Sequence, residues 1–121
     1  MILHDAAFYR AMMRVTILEN PWIPITPEPP QAEFLLSLDR EVLYGGAAGG
    51  GKSVALLAGA LQYVDEPGYA ALLLRHTYTD LALPGALIDI ASRWMSGTAA
   101  KWSGETHTWT FPSNAKLAFG H

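Results

Sequence analysis

The sequence predicts an α/β fold, a parallel sheet with flanking helices followed by a C-terminal β-hairpin, and three stretches predict it. Residues 41–46, "EVLYGG", read as a short strand that runs into glycine. Residues 53–64, "SVALLAGALQYV", are apolar nearly all round, the composition of a helix buried on most sides. Residues 70–75, "AALLLR", follow the turn "DEPG" as a continuous apolar run, which reads as a fully buried parallel strand. Strand, glycine loop, helix, turn and strand in that order make a βαβ unit, with a right-handed crossover.

The other elements follow from the same kind of signal. Residues from Asp5 to about Leu18 fit a helix with Asp5 as its N-cap. "NPWIPITPEPPQ" then holds five of the eight prolines and predicts an extended arm, since proline restricts itself and its predecessor. "QAEFLLSL" resumes a helical pattern, with Phe34, Leu35 and Leu38 on one face. A further helix is expected to open near Pro84, a good first-turn residue. Leu87, Ile88, Ala91, Trp94 and Met95 form its stripe, and Gly97 stops it. The period then changes to two. "THTWTF" puts Trp109 and Phe111 on one face, "PSN" turns the chain, and "AKLAF" returns with Ala115, Leu117 and Phe119 together, the pattern of a hairpin.

Composition narrows the classes of function. A chain of 121 residues suits one domain, and with half its residues hydrophobic it has enough apolar surface for a core. A net charge of -3 argues against coating nucleic acid by bulk attraction. Without cysteine there is neither a disulfide nor a thiolate metal site. No apolar run is long enough to cross a bilayer, and the opening "MILHDAAFYRAMMRV" is not read as a signal peptide. His4, His76, His107 and His121 show no metal-ligand spacing, and no serine lies in a G-x-S-x-G elbow. Trp94, Trp102 and Trp109 are expected in the core, with base stacking as the alternative. Lys101 and Lys116 are too few for a DNA track.

Residues 46–53 read G-x-x-x-x-G-K-S, the P-loop pattern, and each part has a physical task. Across Gly46, Ala47, Ala48, Gly49, Gly50 and Gly51, consecutive backbone N–H groups are expected to turn inward as a nest for phosphate oxygens. The helix that follows adds its unpaired N–H groups and the positive end of its dipole. Lys52 is expected at the β and γ phosphates as a point charge and is the candidate catalytic residue. The Ser53 hydroxyl is the expected ligand for Mg²⁺. The predicted cofactors are therefore ATP and Mg²⁺. The bland reading of the same residues is a flexible glycine turn with an exposed lysine.

With the P-loop placed, its flanks resemble a known family. "PEPPQAEFLLSLDREVLYGGAAGGGKSVALLAGALQYV", then "YAALLLRHTYTDLALPGALIDIASRWM" and "WTFPSNAKLAFGH", closely resemble the ATPase domain of the phage terminase large subunit, the motor that packages viral DNA. The resemblance runs from about residue 20 to the last residue. It implies a partial P-loop NTPase fold at 25–121, preceded at 1–24 by a helix and an extended arm. It also implies that Gln31 contacts adenine through its paired amide donor and acceptor. Arg75, at the end of its strand, would sense nucleotide or touch DNA; the alternative is a surface cation at a strand end. Tyr78, Thr79 and Asp80 fall in the next loop with no role.

An intact member would be an ATPase with endonuclease activity in the host cytoplasm. Its partners would be double-stranded DNA, a portal protein and the terminase small subunit, and it would work as a homo-oligomeric ring. The family's Walker B strand, its coupling motif and its nuclease domain are expected after the hairpin, beyond His121. This stretch therefore reads as an N-terminal piece, expected to bind nucleotide weakly and to hydrolyse little. Two other readings remain at this stage: a non-catalytic P-loop binding or interaction module, including a decayed terminase, and another P-loop enzyme such as a small kinase.

Overall fold

A computed structural model describes residues 6–36 and 50–121. In chain order the elements are helix α1 (Ala6–Met13), a π-helical turn (Arg14–Leu18), α2 (Pro29–Leu35), α3 (Gly50–Leu61), strand β1 (Ala70–Leu74), α4 (Tyr78–Ala82), α5 (Leu87–Met95), and strands β2 (Lys101–Ser103), β3 (Thr108–Thr110) and β4 (Lys116–Gly120). The described residues thus form a mixed α/β fold around a four-stranded sheet of order β1-β4-β3-β2. The expected strand at 41–44 and Asp5 lie outside the described residues.

Among the described strands one pair is parallel. β1 runs parallel to β4, with Leu73 opposite Phe119, whereas β3 is antiparallel to both β2 and β4. The alternating pattern of the hairpin appears as expected. Trp109, Phe111, Ala115, Leu117 and Phe119 are all buried, while Lys116 on the opposite face donates to the Thr110 hydroxyl at 3.1 Å.

β1 departs from expectation. Its apolar run predicted a strand buried on both faces, but Leu72 and Leu74 are 60% and 59% exposed. Ala71 and Leu73 pack against the core on one face, next to Leu117 and Phe119. A continuous apolar run records tolerance for burial on both sides; it does not supply the second layer of helices.

Two short elements interrupt segments read as loop. Residues 78–80 open α4, where the Thr77 hydroxyl caps the helix by accepting from the Asp80 amide at 3.1 Å. β2 pairs Trp102 with Trp109. α5 begins at Leu87, three residues after Pro84, because Pro84 and Gly85 form the turn before it. Gly97 ends that helix as expected, at φ +78°, a conformation that glycine adopts without steric cost. The first helix loosens at its end: the Glu19 amide reaches back five residues to the Arg14 carbonyl at 2.8 Å.

α3 is the axis of the molecule. Its buried residues Leu57, Ala58 and Leu61 join Ile17, Trp22, Ile23, Ala91, Met95 and Phe111 in one core. Side chains from distant segments hold its C-terminal end. Asn20 donates to the Leu61 carbonyl at 3.0 Å, Tyr69 to Ala60 at 2.9 Å and Ser113 to Val64 at 2.5 Å. Trp22 closes the same region, donating to Asp65 at 2.9 Å and meeting Phe111 edge-on at 5.0 Å. The proline arm is therefore packed into the core by Trp22 and Ile23.

Candidate functional site

The described part of the G-x-x-x-x-G-K-S stretch is the first described turn of α3. Gly50, Gly51, Lys52 and Ser53 are helical, so Gly50, Gly51 and Lys52 belong to α3 and not to the loop expected before Ser53. Lys52 and Ser53 are half-buried and Gly51 is exposed. Gly46, Ala47, Ala48 and Gly49 lie outside the described residues.

Gln31 is brought against this turn. Its Nε2 donates to the Gly51 carbonyl at 2.9 Å, and its Oε1 accepts from the Glu28 amide at 2.9 Å. The second contact closes the first turn of α2, and the first ties α2 to α3. One N–H and one carbonyl lone pair of the amide lie beyond these two bonds. Gln31 thus holds the start of α3 in place, a role that its position in the sequence did not reveal.

Arg75 sits just beyond β1. Its amide donates to the Gly120 carbonyl at 3.0 Å and its Nη1 to the Leu74 carbonyl at 3.3 Å. With Leu74 and His76 it borders a hollow of about 350 Å³. These bonds join Arg75 to the sheet end, not to α3.

Two further features carried no clear signal in the sequence. The His107 ring, at φ +51°, stacks with Tyr78 at 4.8 Å and with Trp102 at 6.4 Å. Of the three tryptophans expected in the core, Trp109 is buried, Trp94 is half-buried and Trp102 is 37% exposed. The second feature is a cavity of about 410 Å³ lined by Ile25, Val54, Gly85, Ile90, Arg93 and Trp94. Val54 follows Ser53 directly, so this cavity adjoins the first turn of α3.

Among the described residues no group of three His, Asp, Glu or Cys side chains is placed to hold a metal ion, and no helix is long and apolar enough to cross a membrane. A Mg²⁺ ion held by Ser53 would complete its shell with phosphate oxygens and water, as Mg²⁺ does at nucleotide sites. Compared with family models, curated proteins and solved structures, the chain matches none.

Proposed function

We propose that this chain is the nucleotide-binding N-terminal part of a terminase large subunit ATPase and that it takes Mg-ATP at the turn opening α3. The observation that carries the reading is Gly51. Glycine costs a helix about 1 kcal/mol relative to alanine. Yet among the described residues a Cβ at Gly51 would meet nothing closer than Gln31 Nε2 at 3.6 Å, an ordinary contact. The described packing does not ask for glycine there, whereas a ligand closing on the backbone does. Lysine and serine follow immediately, the residue types that such a ligand needs.

The residues divide the work of binding. The amides of Gly50 to Ser53 would receive phosphate oxygens, helped by the dipole of a twelve-residue helix. Lys52 would neutralise charge at the β and γ phosphates, and Ser53 would offer its hydroxyl to Mg²⁺. Gln31 would keep the turn in place, its remaining donor and acceptor directed to adenine. Bound Mg-ATP supplies the phosphoanhydride whose cleavage powers the motor. In the intact protein that energy would move double-stranded DNA through a portal into a capsid. The small subunit would assist, and neighbouring subunits of a ring in the host cytoplasm would complete the catalytic groups.

Equilibrium titration of the chain with ATP, with and without Mg²⁺, tests the reading. Wild type is expected to bind in a magnesium-dependent way, and Lys52→Ala to lose that binding. Unchanged binding by a folded Lys52→Ala variant removes the site.

A further inference from the structure

We infer that the carboxyl end of the parallel pair β1 and β4 carries a second site, which takes a short run of single-stranded nucleic acid with its bases on a stack of exposed rings. The inference does not rest on the phosphate reading of α3, and the two sites share no residue.

The topology brings the residues together. β1 and β4 are parallel and end side by side, where the Arg75 amide donates to the Gly120 carbonyl at 3.0 Å. Arg75 and His76 follow β1, and His121 follows β4. β3 runs the other way, so His107, just before it, lies at this same end, its carbonyl accepting from the Phe119 amide at 2.9 Å. Tyr78 opens α4 three residues after Arg75. Three of the chain's four histidines and an arginine thus collect where open α/β sheets gather their ligand contacts.

The rings are the first feature that points to a ligand. The His107 imidazole lies between Tyr78 and Trp102, nearly parallel to both, at 25° and 19°. The two outer rings are 44% and 37% exposed, so a further flat ring can extend the stack. His107 reaches this place from a left-handed backbone, φ +51°, which glycine would adopt without steric cost. The turn alone does not ask for histidine there; the stack does.

Charge is the second feature. The Arg75 guanidinium donates to the Leu74 carbonyl at 3.3 Å and pairs with no carboxylate among the described residues. With Leu74 and His76 it borders the hollow of about 350 Å³. Asp80 on α4 and Glu105 in the turn before β3 are the nearest acidic residues in sequence, and neither is ion-paired with Arg75 or with an imidazole. Flat rings beside an unpaired guanidinium match the two parts of a single strand, its base faces and its phosphates. A duplex keeps its base faces inside its own stack and offers this end phosphates alone. An apolar peptide would leave Arg75 without a counter-charge. With a net charge of -3 the contact has to be local, and Lys101 and Lys116, both opposite Thr110, lie at the other end of their strands.

The experiment titrates the full chain with a thymidine oligonucleotide of about ten residues, within the span of known single-strand sites, and with a duplex of equal length. Tryptophan fluorescence and anisotropy report binding, and circular dichroism confirms that each variant is folded. Wild type is expected to bind the single strand about tenfold tighter than the duplex, with quenching that Trp102→Phe reduces. Trp102→Ala and Tyr78→Ala are each expected to weaken single-strand binding about tenfold, while Trp102→Phe keeps most of the affinity. Arg75→Ala is expected to lower the slope of log affinity against log salt by about 0.7, the share of one phosphate contact on a single strand. Equal affinity for the two nucleic acids, unchanged in Trp102→Ala and Tyr78→Ala, would reduce the contact to phosphate attraction and overturn the site. Displacement of the oligonucleotide by Mg-ATP would place the strand at α3 and overturn it as well. No binding by wild type would make the rings an internal clasp between α4 and the hairpin, and the phosphate reading of α3 would be untouched.

Discussion

Gly51 and Gln31 form a pair whose meaning depends on what lies outside the chain. Gln31 bonds to the Gly51 carbonyl, not to any side chain, so that contact survives substitution at residue 51. Gly51→Ala should therefore leave the chain as stable as wild type, or more stable by up to about 1 kcal/mol, because alanine is the better helix residue. On the proposed function its magnesium-dependent ATP binding should nevertheless drop, because a methyl group is added to the backbone proposed to receive phosphate. A thermal melt and a nucleotide titration on the same preparation check both halves. Wild-type affinity in Gly51→Ala would mean that the glycine serves the apo fold in some other way. The P-loop pattern identified this residue from the sequence, whereas the partners of Gln31 could be known only once α2 lay against α3.

Among the elements, α3 depends on contacts at both ends. Asn20 shows how its C-terminal end is held. Its side chain is buried and donates to the Thr16 and Leu61 carbonyls at 3.0 Å, while its Oδ1 accepts from the Trp22 amide at 2.9 Å. Asn20→Ala would leave those backbone groups without their partner and should cost about 2 kcal/mol. The urea midpoint should fall with little change in slope. A shift below about 0.5 kcal/mol would show that water replaces the amide at no cost. The sequence marked Asn20 only as the start of a proline arm. The segment of α4 reads as loop in the sequence: Thr77 followed three residues later by Asp80 is a capping pattern, but the five-residue helix it opens is too short to show a period.

For the whole molecule, the core joins the N-terminal segment, α3, α5 and one face of the sheet, so stability should be lost as a unit. Tyr69 makes part of that stability depend on pH. Burial, and secondarily the neighbouring Tyr63, hold its phenol above the ordinary value of 10.0. The folded chain keeps this proton more tightly than the unfolded chain does. The phenol's contribution is therefore complete below the unfolded value and is lost as pH rises through the higher folded one. The urea midpoint of wild type should decline above about pH 10, and that of Tyr69→Phe should decline less steeply. Parallel declines in the two proteins would show that the Tyr69 proton is not the one that matters. The hydroxyl's bond to the Ala60 carbonyl at 2.9 Å should add a pH-independent cost in the variant.

The sequence by itself determined the features that a local stretch of backbone must satisfy. These are the buried helix that follows the glycines, the two-residue period of the hairpin around Trp109 and Leu117, and the left-handed stop at Gly97. Each is set by conformational or amphipathic demands within a few residues, so spacing reveals it. Only the tertiary structure decided which face of β1 is covered, that β2 joins the sheet, that both ends of the Gln31 amide are engaged, and that Ile25, Val54 and Trp94 share a cavity. Those are relations between groups far apart in the chain, such as Asn20 with Leu61. They depend on where whole elements come to rest, and no short pattern encodes that.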